Sequence, residues 1–295
     1  MNGVLLIDKP SGPTSHDVVA RLRQVTRERS IGHAGTLDPR ATGLLVMLLG
    51  KATRLAALLS GHDKTYDAVL RLGWSTTTDD AAGERLDGPG GPLPSEQELS
   101  EALAPFAGSF EQMPPQHSAK NVGGQRAYDL ARRDQHVDLK AATVTVRSLN
   151  LIGREGDLVR LTMTVGAGFY VRSLARDLGA RLGCGAHLHT LRRTHSGAFD
   201  VETATSLDEA DQLGPLLEPR LISLADALPE LPAVRITEAG LVRVRHGNPV
   251  GPQFVEGWAP AGSGLTKIRL LDESGALIAL ADLRGGLLHP SVVLG

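Results

Sequence analysis

Alternation of apolar and polar residues is the feature that most restricts how this chain can fold. Tyr66, Ala68, Leu70 and Leu72 are separated by Asp67, Val69 and Arg71, so a strand there turns one face to a core. The unbroken apolar runs at 4–7 and 44–49 read as buried strands. Val144/Val146, Leu149/Leu151 and Leu161/Met163/Val165 repeat the period of two, with connections short enough for antiparallel pairing. Residues 188–193 read as one more strand. Helical spacing appears in fewer places. Val18, Val19, Leu22 and Val25 share one face of a helix for which Ser15 is the expected N-cap. A short helix is expected at about 53–59, and Val171, Leu174, Ala175 and Leu178 point inward from a helix over 170–182. Strands and helices do not alternate as regular βαβ units. The prediction is therefore an α+β fold with a mixed, mainly antiparallel sheet.

At 295 residues, 41% of them hydrophobic, the chain exceeds one small domain and can bury a sizeable core. After the Leu-Pro-Glu-Leu-Pro stretch ending at Pro232 the pattern changes to short strands with one helix near 238–245. Two units are expected, 1–231 and a small β-rich 232–295. The glycine-punctuated stretch from Gly32 to Gly43 reads as a loop, and the Asp-, Gly- and Pro-rich residues 79–94 as a surface excursion. The apolar run at 44–49 is far short of the ~20 residues that cross a bilayer. The N-terminus lacks the basic start and long apolar stretch of a secretory signal. The lone cysteine, Cys184, forms no intrachain disulfide and fits a reducing compartment. A cytoplasmic protein with no membrane association is expected.

The net charge of −2 hides a segmental pattern. Residues 1–61 carry eight basic and four acidic side chains, and 114–193 carry thirteen and six. Residues 79–112 and 194–230 each carry one basic and eight acidic. Two basic blocks divided by acidic ones predict a basic face for a polyanion, with acidic surfaces elsewhere. Of the 31 cations 25 are arginine, whose planar fork suits phosphate. A plain compositional preference for arginine gives the same count. With ten Phe, Trp and Tyr in all, a broad base-stacking platform is not expected.

Chemistry concentrates in Gly32-His33-Ala34-Gly35-Thr36-Leu37-Asp38-Pro39-Arg40-Ala41-Thr42-Gly43. Its glycines let backbone approach a ligand, and Pro39 holds Asp38 in an extended or turn conformation that fixes one carboxylate. Taken singly, Asp38 reads more readily as a solvated aspartate closing an Asx turn, since Asp-Pro turns are common. No Gly-Lys-Ser/Thr follows, so this is not a phosphate-binding P-loop. Gly166-Ala167-Gly168-Phe169-Tyr170-Val171-Arg172-Ser173-Leu174 sets a ring and a guanidinium at a helix start, suited to stacking on a planar ligand and pairing a carboxylate. A core tyrosine and a surface arginine are the alternative. Lys64-Thr65-Tyr66 places another aromatic beside a cation, or simply a core-facing strand residue. Ser15-His16-Asp17 has the letters of a triad, but adjacent side chains diverge. Cys184, His187 and His189 lack a fourth ligand at metal spacing, and His195 and His246 have no partner visible in sequence.

The run Asn2-Gly3-Val4-Leu5-Leu6-Ile7-Asp8-Lys9-Pro10-Ser11-Gly12, followed by the Gly32 to Gly43 block, resembles the bacterial tRNA pseudouridine-55 synthases, the TruB family. Lys64-Thr65-Tyr66, then Gly168-Phe169-Tyr170-Val171-Arg172, then Gly183-Cys184-Gly185-Ala186-His187-Leu188 with Leu191-Arg192-Arg193 follow in family order. The resemblance thus spans most of 2–200. Arg245-His246-Gly247-Asn248-Pro249-Val250 is similar to the family's C-terminal PUA domain. The resemblance implies a pseudouridine synthase catalytic domain, a PUA-like RNA-binding domain, and an isomerase acting on uridine 55 in the T-loop of tRNA. It implies no cofactor, no metal and a monomer.

It further implies Asp38 as the catalytic carboxylate, held ionised by Arg172, with Tyr66 stacked on a flipped uracil and Tyr170 assisting loss of the C5 proton. His33, Lys9, Lys64, Leu191, Arg126, Arg132 and Arg193 are expected on the substrate or RNA-binding side. Among them Leu191 would wall the pocket, His33 would lie against the displaced RNA loop, and Lys9 with Pro10 would support the Asp38 loop. The family's Ser-Ala-Ile-Lys is replaced by Ser118-Ala119-Lys120-Asn121, and His117 stands where Tyr or Met is frequent, a departure on the RNA-binding side. The competing readings are a non-catalytic RNA-binding or RNA-folding protein and an isomerase acting on another RNA. A pure binder has no use for a carboxylate that repels phosphate.

Overall fold

The structure, a computed structural model, describes residues 1–88, 90–116, 121–122, 125–126, 140–257 and 267–295. Its first strands are β1 (Gly3–Lys9), β2 (Ile31–His33), β3 (Thr42–Leu49), β4 (Lys64–Leu72) and β5 (Gly108–Gln112). A two-strand pair follows, β6 (Asn121–Val122) with β7 (Gln125–Arg126), then β8 (Ala142–Glu155), β9 (Leu158–Val165), β10 (Ala186–Ser196), β11 (Phe199–Asp200) and β12 (Thr205–Ser206). Ten of these form one sheet in the order β12-β1-β3-β10-β4-β9-β8-β5, with β2 on β3 and β11 on β10. Among the described residues, β1–β12 and β10–β3 are its parallel pairs. The helices are α1 (Ser15–Thr26), α2 (Ala56–Ser60), α3 (Glu96–Leu103), α4 (Val171–Leu182), α5 (Leu207–Leu213) and α6 (Glu238–Arg245). The architecture is α+β.

The runs at 4–7 and 44–49 are apolar throughout because β1 and β3 are buried on both faces. Leu5, Ile7, Leu45 and Met47 join Leu22 of α1 and Leu174 of α4 in one core. Val4, Leu6, Leu44 and Leu48 face a second core with Leu55 and Leu59. Leu277, Leu280 and Leu294 complete that second core. Leu277 and Leu280 lie in, and Leu294 directly follows, the C-terminal sheet, ordered β14-β13-β15-β16-β17 and made of β13 (Ala233–Ile236), β14 (Val255–Glu256), β15 (Ile268–Leu271), β16 (Leu277–Arg284) and β17 (Leu287–Val293).

Three local expectations are corrected. The cap of α1 is Thr14, not Ser15: the Thr14 hydroxyl accepts from the Asp17 N–H and the Asp17 carboxylate accepts in return from the Thr14 N–H, a reciprocal box that a serine one residue later cannot form. The 144–151 segment is one strand rather than two, since register shifts near Val146 and Leu151 break the alternation without ending the pairing. The Gly32 to Gly43 loop is shorter than expected, because Ile31–His33 pair with β3 as β2.

Candidate active site

Asp38 lies in the loop between β2 and β3, and the backbone on both sides of it is tied down. The Ser15 hydroxyl accepts from the Leu37 N–H at 2.8 Å and donates to the Leu37 carbonyl at 3.0 Å. Beyond Asp38, the Lys9 ammonium donates to the carbonyls of Pro39 (3.1 Å), Pro10 and Pro13 (both 2.9 Å). The Gly12 N–H also donates to Pro39. The N-terminal Lys-Pro turn and the Asp38 loop are therefore one cross-linked unit. Parallel pairing of Arg193 with Gly43 brings β10 against it. That approach requires glycine: at φ +96° a Cβ on Gly43 would stand 2.2 Å from the Arg193 carbonyl oxygen.

Arg172, in the first turn of α4, reaches across to Asp38 with two nitrogens, Nε at 2.9 Å from one carboxylate oxygen and Nη2 at 3.2 Å from the other. This bidentate fork is geometry that only an ionised carboxylate completes. Nη1 donates to the Thr78 carbonyl at 3.4 Å. The arginine side chain is 7% exposed, whereas the carboxylate keeps 39% of its surface open to the cavity. That cavity, of about 110 Å³, is lined by Asp38, Tyr66, Phe169, Tyr170, Arg172 and Leu191 with the Thr36–Leu37 backbone and Val171. Withdrawal from bulk water pushes the Asp38 carboxyl above the ordinary aspartate value, Arg172 pulls it down, and nearby Asp80 adds to the upward push. The result is a carboxylate desolvated by its walls, neutralised by one guanidinium, and facing a slot between rings.

Comparison with known proteins decides what this arrangement belongs to. The family described as TruB family pseudouridylate synthase (N terminal domain) matches residues 23–171, and the tRNA pseudouridylate synthase B C-terminal domain matches 172–214. The tRNA pseudouridine synthase B of Solibacter usitatus is 39% identical over the whole of both chains. That of Thermobifida fusca is 44% identical over 99% of this chain and 98% of its own. The chain belongs to the TruB family of pseudouridylate synthases. Enzymes of this class are isomerases. A chain in the crystal structure of a Cbf5–Nop10–Gar1 complex has the same fold, with a TM-score of 0.75 at 28% identity over 99% of this chain and 85% of that one.

Of the residues singled out in sequence, this TruB chain brings Asp38, Tyr66, Tyr170, Arg172 and Leu191 around one cavity. His33 closes β2, with its ring edge-on to His16 at 6.5 Å. Lys9 bonds the Pro39 carbonyl next to Asp38, in keeping with a support for that loop, whereas Lys64 and Arg193 are corrections; all three are buried. Lys64 donates to the Ser60 and His62 carbonyls, and Arg193 to those of Leu44 and Gly35, so none of the three cations is presented to RNA. Burial lowers Lys9 and Lys64 to about 8. Arg126 ends β7, while Arg132, His117 and residues 118–120 lie outside the described residues.

The decoys resolve as structure. The His187 ring bonds the Trp74 carbonyl, His195 pairs with Asp200, and His246 bonds the Val242 carbonyl, so the last two do have partners. Among the described residues no three His, Cys, Asp or Glu side chains assemble as a metal site. Residues 79–94 are not wholly a surface excursion. Asp79, at φ +61°, takes an ion pair from Arg176 at 3.2 Å, and Asp80 lines a small pocket with Asp38. Sequence reasoning also missed Ser15 and Gln112. The second carried a signal: a glutamine at a strand position whose register faces the core, two residues after Phe110.

Proposed function

We propose that the protein converts uridine 55 in the T-loop of tRNA to pseudouridine, a specific form of the tRNA pseudouridine synthesis that the names of its relatives state. The observation that carries this reading is the bidentate Asp38–Arg172 pair, which lines one cavity together with Tyr66 and Tyr170. In the isomerisation the N1–C1′ bond breaks, the base turns, C5 bonds to C1′, the C5 proton leaves and N1 gains one. The nucleoside keeps its composition, so no oxidant, reductant or group donor enters. Asp38 supplies the carboxylate that begins the exchange at the nucleoside. Arg172 holds that carboxylate ionised and aimed. Tyr66 gives the detached uracil a ring to stack on while it turns, and Tyr170 stands where the C5 proton departs.

A uridine stacked in a folded loop must swing out, which costs a few kcal/mol. Contacts to the flanking strand offset this. Next to the slot, across Leu191, runs a groove of about 680 Å³ in which Ser11, Arg40, Thr42, Arg160 and Thr190 stand among apolar side chains such as Val69 and Ile152 and the acidic Asp67. Its cations and hydroxyls are the groups that would meet a ribose–phosphate chain. Residues 232–295 are read as a PUA-like RNA-binding unit. A monomer working in the cytoplasm is part of the same reading.

The test is Asp38→Asn with a T-arm transcript carrying tritium at C5 of uridine. Binding should persist while tritium release is lost. Normal turnover by this variant would remove Asp38 from the chemistry, and with it the reading.

A further inference from the structure

The Asp38–Arg172 pair joins two segments 134 residues apart, and each segment is held by one buried side chain that bonds both backbone groups of a single residue. On the first, Ser15, 2% exposed, takes the Leu37 N–H and gives to the Leu37 carbonyl. On the second, Gln112, 1% exposed, accepts from the Tyr170 N–H at 2.9 Å through Oε1 and donates from Nε2 to the Tyr170 carbonyl at 3.1 Å. Leu37 adjoins Asp38, and Tyr170 is the N-cap residue of the helix that carries Arg172. Neither Ser15 nor Gln112 lines the slot. Neither bond pattern is needed to make a helix or a strand: Thr14 already caps α1, and Gln112 ends β5.

A residue whose N–H and C=O are both bonded by one rigidly packed side chain cannot turn its peptide planes without losing both bonds. Without its clamp the Leu37 N–H or the Tyr170 N–H loses that partner, which is unfavourable when buried, while the Tyr170 carbonyl still accepts from the Leu174 N–H at 3.2 Å. The two clamps thus fix the backbone on either side of the ion pair, and the ion pair fixes the side chains between them.

We propose that Ser15 and Gln112 are positioning residues of the isomerisation, one registering Asp38 and the other registering Tyr170 and Arg172. This rests on the reading of Asp38 as the reacting carboxylate. Ser15→Ala and Gln112→Leu should each lower kcat by about tenfold to a hundredfold, the effect of a misplacement near 1 Å, and leave KM within about twofold. The acid limb of the kcat profile should move up in Ser15→Ala, because a carboxylate out of register loses part of its guanidinium. The double variant should be little worse than the poorer single one, since both act through one pair. Ser15→Thr, which keeps the hydroxyl, should restore most of kcat.

Thr14→Ala is the structural control: it removes the cap of the same turn, so Tm should fall while kcat holds. Should Ser15→Ala not fold, Ser15→Cys keeps the volume, weakens both bonds, and carries the same expectation. Wild-type kcat in folded Ser15→Ala (or its Ser15→Cys substitute) and Gln112→Leu overturns the inference, as does an equal loss of kcat in Thr14→Ala. An active Asp38→Asn strikes instead at the underlying reading, so the two failures are told apart.

Discussion

Asp38 is placed where it does the fold no favour. Its carboxyl is shifted upward by desolvation, so its ionised form is held at a cost that Arg172 offsets only in part. The sign follows from linkage: a carboxyl whose folded pKa exceeds its unfolded one favours the native state below the unfolded value and loses that contribution as pH rises through the folded one. At pH 7 Asp38→Asn lifts that cost but leaves the buried Arg172 guanidinium without its counter-charge, so its Tm, read by thermal denaturation, should stay close to the parent's although its turnover is lost. Activity, which needs the carboxylate, should fall on the acid side with a midpoint above the ordinary aspartate value. In Arg172→Ala that midpoint should climb further, and kcat should drop far more than binding, because the opposing guanidinium is gone. A midpoint unchanged by Arg172→Ala would show that the fork has no hold on the carboxylate. Asp38, Tyr170 and Arg172 each stand in a contiguous motif, but only the resemblance carried by those motifs, not the residues taken singly, paired Asp38 with Arg172 across 134 residues. Lys64 and Arg193 were legible as cations but not as inward-facing ones, since the carbonyls they serve are set by tertiary contacts. Ser15 was misread because its partner, Leu37, lies 22 residues away.

Elements were legible wherever one period ran undisturbed. β4 shows the alternate burial that its sequence writes, and α4 buries Val171, Leu174, Ala175 and Leu178 as spaced. What escaped was any feature made by a second element: the bulged continuity of β8, and the pairing of β2, three residues too short to show a period. The contact of β3 with β10 is the most demanding of these. Gly43→Ala sets a methyl against backbone that cannot yield, at a positive φ, so it should cost roughly 3 kcal/mol or more in urea denaturation. Because that contact also seats Leu191 beside Asp38, the variant should lose kcat at temperatures where it is still folded. Parental stability in Gly43→Ala would mean that the two strands separate without penalty.

For the molecule as a whole, the charge segregation expected from the segments is only partial. Acidic stretches fold back onto basic ones: Arg21 pairs with Asp208 and Asp211, and Arg176 with Asp79. Within 114–193, Arg147 and Arg160 also meet carboxylates, while Arg192 grips Asp8 with two bonds of 2.8 and 3.0 Å. A count along the chain cannot anticipate this, because neutralisation happens between segments. Arg126→Ala and Arg132→Ala should each weaken tRNA binding modestly and lower the slope of log K against log salt by about one. Arg192→Ala should change that slope less, its charge being already matched by Asp8. Equal slopes for all three would mean that Asp8 lets go of Arg192 when RNA binds.

The sharing of a core between the two sheets has a practical corollary for anyone who would dissect this enzyme. Leu277, Leu280 and Leu294 roof the same apolar floor that Val4, Leu6 and Leu44 provide. Cutting the chain ahead of Ala233 would leave that floor wet and adhesive, and a truncated protein that precipitated would report on exposed leucine, not on RNA. Whether the tail touches nucleic acid is better asked by recharging its outer surface while the joint stays whole.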